Sequence, residues 1–101
     1  MPTTTMTVAT IVEENFLSLE EFAALCAVEP DWVIQRINDG LLSATAQKNH
    51  QWCFSALQLT RAKRMLTIER YFEASPELAA LVADMQEEMD SLRRQLHRAG
   101  I

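Results

Sequence analysis

The sequence predicts a mostly α-helical fold: a winged helix-turn-helix with a small β-hairpin and a C-terminal coiled-coil helix. Three observations predict it. Between Ser18 and Leu42 two short amphipathic segments follow one another, each with its own start and stop signals. A polar stretch and the aromatic run Trp52-Cys53-Phe54 come next, as turn and strand. Past a Ser-Pro break, apolar residues recur at alternating spacings of four and three.

A chain of 101 residues is one small domain's worth of sequence, able to bury a core but marginal without a partner. Its composition, 49% hydrophobic and 23% charged, is that of an ordinary globular protein. No apolar run approaches the ~20 residues that a membrane span needs. The N-terminus has neither a basic n-region nor a compact apolar h-region, so a cytoplasmic location is expected, with no membrane attachment. Two isolated cysteines fit reduced, structural thiols there. A metal site built from Cys26, His50 and Cys53 would lack both a C-x-x-C pair and a fourth ligand. No cofactor is expected.

Taken in order, Met1 to Thr5 is small and polar, and Met6 to Val12 is rich in β-branched residues, which predicts a short strand. Ser18 is an N-cap, and Glu21 three residues later completes a capping box. Phe22, Leu25 and Cys26 then give one apolar face. Glu29-Pro30-Asp31 restarts a helix, because Pro suits the first turn and carboxylates favour an N-terminus. Trp32, Val33, Ile34 and Ile37 come after it, and Gly40 supplies the stop. Helices this short are not stable alone, so they must pack on each other and on later parts of the chain.

Between Leu41 and His50 the chain is polar or small, as in a hairpin tip, with Asn49 best able to take a left-handed conformation. Trp52 and Phe54 then fall on one side of a strand whose natural partner is Met6–Val12. Ser55 caps a long helix in which Leu59, Ala62, Met65, Leu66 and Phe72 recur at helical spacing, to cover the first two helices. Arg61 and Arg64, with Lys63 beside them, fall on a more exposed side. Such a cluster is a solvated face, or a contact for phosphate or for a partner's carboxylates.

The run Glu73-Ala74-Ser75-Pro76 breaks that helix and starts another. The break divides the chain into a helix-turn-helix domain, residues 1–74, and a C-terminal helix, residues 75–101. In that helix Leu78, Val82, Met85, Met89, Leu92 and Leu96 form an a/d seam of about three heptads. The seam can pack on its own domain or on a second copy. Its length and regularity beyond a helix break favour a homodimer.

The charge is unevenly placed. Residues 1–54 carry seven carboxylates against Arg36 and Lys48, which is the whole net charge of −5, while residues 55–101 balance. A helix-turn-helix held to DNA by phosphate contacts needs cations on its second helix. Here that helix offers Asp31, Gln35, Arg36, Asn38 and Asp39. Tight DNA binding is therefore not expected. The acidic half is either a solubilising surface or a face for a basic protein partner. No Gly-rich phosphate loop, paired-carboxylate motif or H-E-x-x-H sequence is present, and His50 and His97 fall in a hairpin tip and near a chain end. The chain is not expected to be an enzyme.

In the order of its parts the sequence resembles the MerR family of helix-turn-helix regulators, and within it the CbpM-like chaperone modulators. The resemblance rests on LEEF opening the first helix, DGLL closing the second and W-x-F leading into the long helix. RAKRM within that helix and LRRQLHR near the end complete it. It covers roughly residues 7–98 and implies a MerR-like fold. It also implies a chaperone modulator that binds the J-domain of a DnaJ-like, CbpA-type co-chaperone and inhibits its co-chaperone and DNA-binding activities. DNA-reading MerR proteins carry basic and tyrosine residues where this chain has DWVIQRIND and KNHQWCF. J-domains present a basic helix, to which Glu20, Glu21, Glu29, Asp31 and Asp39 would be complementary, with Trp32 either core or a contact residue. The alternative is a MerR-type DNA-binding transcription regulator, with Arg61, Lys63 and Arg64 as its cationic contacts.

Overall fold

The computed structural model describes residues 16–49 and 51–100. In chain order these form β1 (Leu17–Ser18), α1 (Leu19–Cys26), α2 (Pro30–Asn38), β2 (Ala46–Lys48), β3 (Gln51–Phe54), α3 (Ala56–Phe72) and α4 (Pro76–Arg98). The fold is mostly α-helical, with a small antiparallel sheet. The described residues make two compact units that divide within α3, between Thr60 and Arg61.

In the first unit, α1 starts as its capping box requires. The Ser18 hydroxyl accepts from the Glu21 amide at 3.1 Å, and the Glu21 carboxylate accepts from the Ser18 amide at 2.9 Å. The stop is not legible in the sequence. Ala27 takes the left-handed conformation, φ 59°, and the Val28 amide reaches back to the Ala23 carbonyl at 3.0 Å. That closing turn is normally given to glycine. Helix α2 ends with the expected residue. Gly40 has φ 77°, its amide donates to Ile37, and the Leu41 amide donates to Arg36 at 2.8 Å. The two bonds satisfy carbonyls that the helix end would otherwise leave open.

The sheet order is β1-β3-β2, with β3 central. Leu17 pairs with Phe54 across one ladder, and Gln47 pairs with Trp52 across the other. The strand expected over Met6–Val12 lies outside the described residues. The partners that β3 shows are Leu17–Ser18 and Ala46–Lys48. The second of these lies inside the stretch that the sequence presents as a polar hairpin tip. Asn49 takes the left-handed turn conformation anticipated for it, φ 53°. The helix pair and the wing share one core, in which Phe22 of α1 stacks on Phe54 of β3 with ring centroids 4.5 Å apart. Both rings are fully buried, and Trp52 packs edge-on to Phe54. Such pairs add about 0.5–1.5 kcal/mol beyond area burial.

The apolar stripes are narrower than helical periodicity implies. Phe22, Ala23 and Cys26 are buried in α1, whereas Leu25 is exposed. In α2, Val33 is buried and Trp32, Ile34 and Ile37 are half-buried. In α3, Ala62, Met65 and Leu66 are buried, but Phe72 is 71% exposed. Phe72 is the last residue of its helix and Glu73 then turns left-handed, φ 51°. Periodicity extends the stripe to the helix end; burial stops a turn and a half earlier.

In the second unit α4 starts where the Ser-Pro pair predicts. The Ser75 hydroxyl accepts from the Leu78 amide at 3.2 Å, and Pro76 takes the first helical position. Ala79, Ala80 and Ala83 are the buried face of α4. No helix among the described residues is long and apolar enough to cross a membrane.

Candidate protein-binding face and self-association seam

Two surfaces emerge, one in each unit. In the first unit the outward side of α2 carries Asp31, Gln35, Asn38 and Asp39, all exposed. Glu29, at the helix N-cap, and Glu20 and Glu21, in the first turn of α1, are exposed as well. The five carboxylates named from the sequence thus all reach solvent. Glu21 also serves the capping box.

Arg36 is the residue that sequence reasoning misplaces. Its position in the sequence makes it a cation offered by α2, yet it is only 8% exposed. Its guanidinium carbon lies 4.5 Å from the centroid of the Trp32 ring. The signal is present in the sequence, since an aromatic and an arginine four apart share a helix face. Trp32 is half-buried and serves as the platform. The solvent side of α2 is left with two carboxylates, two amides and no cation. Cys26 is buried and Cys53 half-buried as thiols, while His50 lies outside the described residues.

In the second unit the basic cluster of α3 is largely engaged. Arg61 donates to Asp84 at 2.7 Å and to Glu87 at 2.9 Å, with its side chain 13% exposed. Arg64 donates to Asp90 at 2.6 Å. Neither side chain stands on the open side expected of it, whereas Lys63 is exposed. Burial disfavours the Arg61 cation, but the hydrogen bonds to Glu87 and Asp84 outweigh it and raise its pKa. The hydrogen bond from Arg64 holds the Asp90 carboxyl below its ordinary range.

The opposite side of α4 carries the heptad seam. Leu78, Met85, Met89, Leu92 and Leu96 are each 48–58% exposed, and Val82 is half-buried. About half of each of the five large side chains is therefore open to solvent. A seam from Leu78 to Leu96 is about 27 Å long at the helical rise, long enough for a two-stranded contact of about three heptads.

The elements are thus a two-helix turn, a three-stranded sheet that includes the β2–β3 hairpin, a long helix and a terminal heptad helix. A model of the MerR HTH family of regulatory proteins matches residues 17–99, which takes in every one of these elements. The chain belongs to the MerR HTH family. No curated protein and no solved structure gives a significant match. As a MerR HTH regulatory protein the chain has its helix-turn-helix in α1 and α2 and its wing in β2 and β3. This member's α2 turns acids and amides outward, where a DNA reader of the family needs cations.

Proposed function

We propose that this MerR-family chain acts on a protein. It is a chaperone modulator that binds the J-domain of a DnaJ-like, CbpA-type co-chaperone and inhibits its co-chaperone and DNA-binding activities. The observation that carries the reading is the outward face of α2. Asp31, Gln35, Asn38 and Asp39 are exposed on it, and the buried Arg36 is held over the Trp32 ring. The chain-wide resemblance supplies the partner, and electrostatic complementarity to a basic J-domain helix supplies the physical reason. Glu20, Glu21 and Glu29 extend the acidic surface, and a cytoplasmic place of action goes with the reading. Charge reversal at Asp31 and Asp39 tests it. Association with a purified J-domain should slow and lose salt dependence, because charges at an interface rim act mainly on encounter.

The protein works as a homodimer in this reading, with Leu78, Val82, Met85, Met89, Leu92 and Leu96 as its seam. The half-exposure of the five largest of these side chains supports that. Burying the exposed half of each such side chain would stabilise by about half of the roughly 1.5–3 kcal/mol that full burial gives.

A second reading, a DNA-binding transcription regulator, draws on family membership and on Gln35 and Asn38, since exposed amides can read adenine edges. Phosphate contacts would then fall to Lys63, because Arg61 and Arg64 are paired to α4. Saturable anisotropy binding to a duplex with a steep salt slope would favour it.

A further inference from the structure

We propose that the last two turns of α4 bind single-stranded nucleic acid by its phosphate backbone, without regard to base sequence. The run LRRQLHR, residues 92–98, carries part of the family resemblance but has no role in the reading above. The inference is independent of that reading and goes beyond it.

The first observation is a cleft. Arg93, Arg94, His97 and Arg98 line a depression of about 450 Å³ on α4, and all four are exposed. Three of the chain's nine lysines and arginines fall in it, in a chain whose net charge is −5.

The second observation is that these cations are not engaged by the fold. Residues 91–98 hold no carboxylate. The carboxylate just before them, Asp90, is held by Arg64 at 2.6 Å. Arg93 reaches it only at 3.7 Å and is 70% exposed. Arg94, His97 and Arg98 make no ion pair among the described residues. Cations near a helix C-terminus also offset its dipole. That role acts on helix stability alone, and the test below separates it.

The third observation is the face on which they stand. His97 and Arg98 follow Ala79 and Ala80 by five whole turns at about 3.6 residues each. They therefore continue the face on which Ala79, Ala80 and Ala83 are buried. The heptad seam lies about 130° round the helix. Self-association through the seam leaves the cleft open.

The lining chooses the ligand. A folded protein is held by apolar anchors, and a membrane surface takes up an apolar helix face. The cleft offers neither. Guanidinium forks match phosphate oxygens two at a time. The pair Arg93 and Arg94 stands about 6 Å along the axis from His97 and Arg98, which suits a backbone charged at every unit. No aromatic ring accompanies them, so bases are neither stacked nor read. A flexible strand follows the curved face of one helix more closely than a stiff duplex does.

The test is the anisotropy of a labelled, mixed-sequence single-stranded DNA, titrated with the full chain at low and at raised salt. Saturable binding is expected, with a log–log salt slope of about −2 for three phosphates at roughly −0.7 each. Arg94→Gln with Arg98→Gln should weaken binding by about tenfold and bring the slope to about −0.7. If that variant loses helix by circular dichroism, Arg94→Lys with Arg98→Lys decides. It should keep the slope but bind more weakly, because an ammonium has no fork. Lys63→Gln should change nothing. No binding at low salt, an unchanged slope in the glutamine variant, a lysine variant that binds as tightly, or loss of binding in Lys63→Gln overturns the proposal. So does equal or tighter binding to a duplex, to polyglutamate or to anionic vesicles.

Discussion

The Arg36 guanidinium lies over the face of Trp32, one turn earlier on α2, at 4.5 Å from the ring centroid. The relationship decides what the second helix of the helix-turn-helix can touch. A cation held against a ring and almost fully buried is part of the packing. Arg36→Ala should therefore destabilise the protein by about 1–2 kcal/mol in urea unfolding. It should leave J-domain binding unchanged apart from that loss. A variant of native stability that gains or loses duplex binding would return Arg36 to the surface.

Ala27 closes α1 in a left-handed conformation, φ 59°. A residue with a Cβ is strained there by roughly 1–2 kcal/mol. Glycine removes that strain but has more freedom to lose on folding, so Ala27→Gly should stabilise by about 0.5–1 kcal/mol. Thermal unfolding checks it. A lower melting temperature would mean that the Ala27 methyl group contributes packing that outweighs the strain.

Arg64 holds the Asp90 carboxyl below its ordinary value of 3.8. A carboxyl whose folded pKa is depressed stabilises fully above its unfolded pKa. That contribution disappears as pH falls through 3.8 toward the folded value. The melting temperature should accordingly fall on acidification below about pH 5, and less steeply in Asp90→Asn. Equal pH slopes in the two proteins would show that the Arg64 contact does not persist in solution.

The exposed seam of α4 predicts a dimer that charge can dissolve. Met85→Glu with Leu92→Glu places carboxylates in a contact that excludes water, where an unpaired charge is strongly disfavoured. Sedimentation equilibrium at tens of micromolar, a range set by ordinary association constants, should give a dimer for the unmodified chain and a monomer for the variant.

Local signals carry most of this fold. The capping box of Ser18 and Glu21, the stop at Gly40 and the Ser75-Pro76 restart each depend on neighbours within a few residues, and each stands where the sequence puts it. The strands do not read so clearly. Two residues of β1 and three of β2 are too short to alternate, so only the aromatic β3 is evident. Phe72 and Leu25 keep to the helical period but fall where no second element among the described residues covers them. The fates of the arginines are least legible. Arg61 and Arg64 meet carboxylates 23 and 26 residues away, a pairing set by tertiary packing rather than by local sequence. The carboxylates of the acidic face are readable because charged side chains reach solvent by default.

Isothermal calorimetry of the unmodified chain against the J-domain of a CbpA-type co-chaperone tests the central claim most directly. The account predicts a saturable heat with one J-domain per chain, weakening as salt rises. It also predicts that charge reversal at both Asp31 and Asp39 weakens the interaction. No heat, together with separate elution of the two proteins from a sizing column, would contradict it. So would binding that ignores those reversals and is lost instead when Lys63 is replaced.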